Sequence, residues 1–156
     1  MTESGNRTNQ KNIVQEEIPE PSSSLVLELF VYIHEIYIYI YNIILFLLFI
    51  FKRFAFDYGG GAIIAEIIIA LILLILNIFR LRLTSIGNKT ERALILLFAV
   101  LIDIVVLVGY IYYMYLQQYV TYFDVVFGAI GLFLTCVEIL FSAITMFYIK
   151  VHEKNI

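Results

Sequence analysis

Four long apolar runs constrain this chain more than any other feature of its sequence. They cover about 25–51, 62–79, 93–116 and 125–149, and charged residues lie mostly at their ends. A helix needs roughly 20 apolar residues to cross a hydrocarbon core of about 30 Å. A lone strand would leave its backbone polar groups unsatisfied in lipid, so each run is predicted to be a helix. The sequence therefore predicts an all-α membrane protein, a bundle of four transmembrane helices embedded in the lipid bilayer.

Composition and motifs argue against several function classes. Hydrophobic residues make up 62 % of the chain, against about 45–50 % in a typical soluble domain. The formal net charge of −3 gives no basis for a nucleic-acid partner. The single cysteine, Cys136, excludes a disulfide framework within one chain. Adjacent His34 and Glu35 would point in different directions on a helix, and no catalytic or phosphate-binding motif accompanies them, so we expect no enzyme, cofactor or metal site.

The segments outside the four runs predict tails and short links. Residues 1–24 are polar and contain prolines and a serine run, a composition typical of a disordered tail. Residues 150–156 form a second tail. The transmembrane domain is therefore predicted to span 25–149, with turns between its helices.

The distribution of basic residues predicts the orientation in the membrane. The two tails and the middle link lie on one side and hold eight Lys and Arg residues, whereas the opposite links hold only Lys52 and Arg53. The positive-inside rule then places both termini in the cytoplasm. The middle link, 77–92, forms a basic cytoplasmic hairpin that either only sets the topology or also binds anionic lipid headgroups. Its basic residues are Arg80, Arg82, Lys89 and Arg92. Glycosylation sequons at Asn6 and Asn88 fall on the cytoplasmic side, so we expect neither to carry a glycan.

Ionisable and amide side chains interrupt the apolar runs, and seven of them are predicted to be costly at membrane depth. They are His34, Glu35, Asn42, Glu66, Asn77, Asp103 and Glu138. Counting about 1.5 Å per residue from the cytoplasmic side places Glu35, Asp103 and Glu138 about 16–18 Å deep. No Lys or Arg is predicted at that depth, so His34 is the only cationic partner and burial would favour neutral acids. The acids either line a proton or cation pathway or form hydrogen bonds between helices; we favour the second interpretation.

Small and polar residues recur at spacings of three and four along the fourth run. They are Gly128, Gly131, Thr135, Glu138, Ser142 and Thr145. This spacing puts them on one helical face, where small side chains let two helices approach closely. The stripe therefore predicts a helix-contact face, either within this chain or with a partner.

A local pattern surrounds the middle link. It has an acid early in the second run, a polar residue before an Arg-Leu pair, a Gly-Asn turn and a charged start to the third run. These are Glu66, Asn77, Arg80-Leu81, Gly87-Asn88 and Glu91-Arg92. Over about 60–148 the chain resembles the small four-span family of transmembrane protein 17 and transmembrane protein 216, including Glu138 within the fourth run. It departs from that family at Asn77, where an acid is expected, and at Thr84, where glycine is common.

The resemblance implies a non-enzymatic component of the ciliary transition zone, the membrane gate at the base of the cilium. It implies association with other membrane and coiled-coil proteins of that zone, and roles in cilium assembly and gating. The chain would be a scaffold that assembles through the stripe of the fourth run and docks through the basic hairpin. The alternative is a small channel or proton-coupled transporter subunit that uses Glu35, Asp103 and Glu138.

Overall fold

The computed structural model describes residues 23–57 and 60–154 and shows a bundle of four long helices. Each is long and apolar enough to cross a membrane, and the predicted four-helix membrane architecture is confirmed. The predicted tail before Ser23 and the Asn6 sequon lie outside the described residues. The helices are α1 (Leu25–Ala55), α2 (Gly60–Lys89), α3 (Ala93–Ile111), which continues as a π-helix (Tyr112–Leu116), and α4 (Tyr122–Lys154).

The helices form a closed ring in which each one packs against two others. Helices that follow one another in the sequence are neighbours, and α4 returns to pack against α1. We call the end that holds the start of α1, the α2–α3 turn and the end of α4 the terminal end, and the opposite end the far end. One apolar cluster near the terminal end includes Leu27, Leu96 and Ile149. A second, toward the far end, includes Phe49 and Tyr113.

Helix α2 extends ten residues beyond its predicted end at position 79. Most of the predicted hairpin is therefore helical, and only Thr90 to Arg92 link α2 to α3. The helix continues because its buried face extends beyond the apolar part as a row of polar residues. These residues are Asn77, Arg80, Thr84 and Asn88, at spacings of three and four. The turn itself closes where Glu91 adopts a positive φ of 51° and the Arg92 amide donates to the Gly87 carbonyl at 3.1 Å.

The start of α1 is fastened to the end of α2. The Ser24 hydroxyl accepts a hydrogen bond from the Leu27 amide and caps α1. The Asn88 side chain accepts from the Ser24 amide and donates to the Ser24 carbonyl, both at 2.8 Å. These bonds align the ends of the two helices, and so determine which of their residues lie at the same level.

Helices α1 and α4 also extend beyond their predicted bounds, whereas the third span, Ala93–Leu116, covers the predicted run. Helix α1 ends at Ala55, four residues after the predicted end of its run. Helix α4 continues to Lys154, so most of the predicted second tail is helical. The apolar runs therefore indicate where the helices lie but underestimate the lengths of α1, α2 and α4.

Candidate functional site

Each of the four helices contributes one ionisable side chain to a cluster inside the bundle. All four side chains are completely buried. They lie at about the same level, roughly 14–15 Å from the terminal ends of α1, α2 and α3 at 1.5 Å per residue. We call this group the inner cluster: His34 of α1, Arg80 of α2, Asp103 of α3 and Glu138 of α4.

Arg80 is the centre of the inner cluster. Its Nη1 lies 2.6 Å from Asp103 Oδ1 and 2.6 Å from Glu138 Oε2. Its Nε donates to Asn77 Oδ1 at 3.1 Å, and its Nη2 reaches Thr135 Oγ1 at 3.5 Å. The expectation that no Lys or Arg pairs with the deep acids is therefore wrong. It failed because Arg80 follows the apolar run in sequence, yet α2 continues and carries its guanidinium inward.

His34 bridges Arg80 and Glu138, and its contacts define its tautomer. Its Nδ1 lies 2.7 Å from Glu138 Oε2, and its Nε2 lies 3.2 Å from Arg80 Nη2, the nearer of the two imidazole nitrogens to that atom. Arg80 Nη2 is almost equally far from Nδ1, at 3.5 Å, so the guanidinium lies against the ring and not in line with the Nε2 lone pair. The carboxylate of Glu138 can only accept, so Nδ1 carries a proton and donates it, and the positive charge of Arg80 disfavours a second proton on the ring. This tautomer is the neutral imidazole.

The stripe of small and polar residues on α4 faces the inside of this chain. All six of its residues are buried. A Cβ atom on Gly131 would lie 2.6 Å from a ring carbon of Tyr110, and one on Gly128 would lie 2.6 Å from Met114 Cγ. The two glycines thus permit close approach of α3, while Glu138 reaches α1 and α2. The stripe is a contact face within the chain, which answers the question that the spacing left open.

The remaining predicted polar residues lie apart from the inner cluster. Glu35 pairs with Arg82 at 3.0 Å on an exposed part of α1 and α2 and does not join the other deep acids. Asn42 is half-buried and donates to the Ile38 carbonyl of its own helix. Glu66 is buried near the far end, where it accepts a hydrogen bond from the Gln118 amide at 2.8 Å. Glu35 therefore shares the counted depth of Asp103 and Glu138, but it bonds to α2 at the surface and not inside the bundle.

A second buried ion pair closes the far end of the bundle. Lys52 Nζ lies 2.7 Å from Asp124 Oδ2, and both side chains are fully buried. Lys52 also donates to Gln117 Oε1 at 3.0 Å. We call Lys52 and Asp124 the far pair; it joins α1 to α4. In the sequence, the only sign of this pair is the charge of Lys52 at the end of the first apolar run.

The predicted basic hairpin is not a continuous cationic surface. Arg80 is inside the bundle, Arg82 pairs with Glu35, and Lys89 pairs with Glu28 at 2.8 Å. Arg92 is exposed at the turn. Acidic partners therefore neutralise three of the four basic residues that the sequence grouped together.

The model of the family Transmemb_17, described as a predicted membrane protein, matches residues 29–135, more than half of the chain. The matched segment contains His34, Arg80 and Asp103 of the inner cluster and ends three residues before Glu138. No curated protein and no solved structure matches the chain.

Proposed function

The chain belongs to the transmembrane protein 17 family, and from this membership we propose that it is a non-enzymatic, multi-pass membrane component of the ciliary transition zone. The proposed role is that of a scaffold in cilium assembly and gating, associated with other membrane and coiled-coil proteins of that zone. The resemblance of the segment from Glu66 to Arg92 to transmembrane proteins 17 and 216 supports the ciliary location.

The inner cluster is the observation that supports a scaffold over a transporter. An ion or proton pathway needs carboxyl groups that water or the transported ion can reach. Asp103 and Glu138 are instead fully buried and share the guanidinium of Arg80. Polar groups that bond across helices hold a membrane bundle in one arrangement. The inner cluster therefore supports a structural role, in which it holds the four helices in one arrangement.

Association with partners is proposed to use surfaces other than the stripe of α4. That stripe packs inside the chain, so it is not open to a partner helix. The terminal end offers exposed charged residues for cytoplasmic docking, among them Arg92 at the turn and Lys150 near the end of α4. Lipid headgroups, including anionic ones, also meet the protein at this level of the membrane.

Both termini are proposed to lie in the cytoplasm. The positive-inside rule counts charges in the loops that flank the spans, and Arg80 and Lys52 are buried in the bundle instead. Without these two residues, the side that holds the termini has seven Lys and Arg residues and the opposite side has one, against eight and two with them. Asn88 is a poor reporter of topology, since both atoms of its buried amide are already bonded. Protease protection of an N-terminal tag tests the orientation: cleavage only after the cytoplasmic face is exposed is the expected result, and cleavage from the outside contradicts it.

The location is tested with a tagged copy in ciliated cells. We expect signal at the base of the cilium, and a signal that is confined to the endoplasmic reticulum or spread over the plasma membrane contradicts the proposal. Glu35→Gln, Asp103→Asn and Glu138→Gln variants separate the two functions. Normal location with loss of an ion or proton flux favours transport. Unchanged flux with loss of complex assembly favours the scaffold.

A further inference from the structure

The inner cluster has an unequal number of positive and negative groups. His34 is neutral, because its Nδ1 donates to Glu138 and the permanent positive charge of Arg80, 3.2 Å from its Nε2, disfavours a second proton on the ring. Arg80 is a permanent cation. If Asp103 and Glu138 were both ionised, two negative charges would face one positive charge, and the cluster would carry a net charge of −1.

No other charged side chain in the described part of the chain forms an ion pair with the inner cluster. The remaining side chains that bond to Arg80 are neutral: the Asn77 amide of α2 and the Thr135 hydroxyl of α4. Tyr110 of α3 packs beside the stripe of α4 and is also neutral as a phenol. A net charge that is fully buried at membrane depth is strongly unfavourable. One proton bound to either acid removes that charge.

The hydrogen bonds show which acid is the better anion. Glu138 Oε2 accepts from two donors, the His34 imidazole and the Arg80 guanidinium. Asp103 Oδ1 accepts from Arg80 alone, and the second oxygen of each acid, Asp103 Oδ2 and Glu138 Oε1, is buried with no hydrogen-bond partner among the described residues. Hydrogen bonds donated to a carboxylate favour its ionised form. Glu138 is therefore the ionised acid of the pair.

We propose that the inner cluster is a proton-binding site in which Asp103 holds the proton as a neutral carboxylic acid. The other three members are then Arg80 as cation, Glu138 as anion and His34 as neutral imidazole, and the cluster is electroneutral. The inference goes beyond the proposed ciliary scaffold and does not depend on it, since it follows from the charges and contacts of the bundle alone.

Infrared spectroscopy of the purified full-length chain in lipid nanodiscs tests this site. At neutral pH we expect a carbonyl band of a protonated carboxylic acid. The band should move to lower frequency when the chain carries 13C-labelled aspartate side chains and stay in place with 13C-labelled glutamate. Because this measurement uses the unaltered protein, it does not depend on whether any variant folds. Absence of the band, or a shift with glutamate label, overturns the proposal.

Variants assign the band to one residue. Asp103→Asn should abolish it, whereas the control Asp57→Asn, at an exposed position before α2, should keep it. Glu138→Gln should also abolish it, because Asp103 is then the only acid left to neutralise Arg80 and must ionise. A band that persists in either Asp103→Asn or Glu138→Gln contradicts the assignment.

Nitrogen-15 NMR of labelled histidine tests the alternative in which His34, and not Asp103, holds the extra proton. We expect the two ring nitrogens of His34 to give the distinct shifts of a neutral imidazole protonated at Nδ1. The His34→Gln variant identifies the signals by their loss. Two protonated nitrogens would place the proton on His34 and overturn the proposal.

Discussion

Arg80 and Arg82 lie two residues apart on the same helix, yet their environments in the bundle are opposite. Arg80 is fully buried between two carboxylates, whereas the Arg82 side chain is 66 % exposed and pairs with Glu35 at the surface. Residues two apart on a helix do not share a face. The comparison shows that a basic stretch in a sequence is not one functional unit, because helical geometry divides it into a buried and an exposed half.

The strongest test of this comparison is Arg80→Gln against Arg82→Gln. Removing the Arg80 guanidinium leaves the buried Glu138 without its cation, and breaking a buried ion pair costs about 3–5 kcal/mol. Exposed pairs contribute about 0–1 kcal/mol, so the Arg82 variant should be nearly as stable as the native chain. Thermal unfolding in nanodiscs measures both. Equal destabilisation by the two variants would show that the inner cluster contributes no more to the free energy of unfolding than an exposed ion pair does.

Lys52 and Arg53 repeat the comparison at the far end with adjacent residues. Lys52→Gln removes the partner of buried Asp124. The Thr121 amide still donates to Asp124 at 2.7 Å, so the loss should lie near the lower end of the range for buried pairs, about 3 kcal/mol. Arg53 is exposed, and Arg53→Gln should change stability by less than about 0.5 kcal/mol. A larger loss from Arg53 than from Lys52, measured by the same unfolding assay, would contradict the pairing.

Gly131→Ala tests whether the inner cluster depends on close approach of α3 and α4. The added methyl group would lie 2.6 Å from the Tyr110 ring, and overpacking of this kind costs about 1–3 kcal/mol. Gly61→Ala is the matched control, since a Cβ there meets nothing within 4 Å. The control should unfold at the native temperature or slightly above it. A Gly131→Ala protein as stable as the control would mean that α3 and α4 can move apart without loss of stability.

The smallest effect is expected for the surface pair of Glu35 and Arg82. A double-mutant cycle with Glu35→Gln and Arg82→Gln should give a coupling energy of no more than about 1 kcal/mol. High salt should reduce it further, because the Arg82 side chain is solvent-exposed. A coupling energy as large as that of a buried ion pair would show that the exposed Arg82 and the buried Arg80 contribute equally to stability.

Much of the architecture was predictable from the residues alone. The four apolar runs predicted four membrane-spanning helices, and the pattern from Glu66 to Arg92 predicted the family. The regular spacing on the fourth run predicted a helix-contact face. These features are local: they depend on the composition of one segment and on the period of one helix.

The predictions that failed all concerned the ends of helices and the partners of charges. Arg80 follows an apolar run, so hydropathy placed it in a link; α2 instead continues to Lys89. Glu35 matched Asp103 and Glu138 in counted depth but lies on a different face of α1 from His34, and pairs with Arg82. Depth along a helix can be counted from a sequence, but the direction of a side chain relative to the other helices cannot.

The sequence by itself determined the class of this protein: an integral membrane bundle of four helices in the transmembrane protein 17 family. Only the tertiary structure decided that one residue from each helix meets at the inner cluster, and that the α4 stripe is used within the chain. The physical reason is that lipid solvation acts on each segment separately, through its own apolar length. Ion pairs between helices depend on the order of the helices around the ring and on the level at which their ends are fastened, here by the bonds between Ser24 and Asn88.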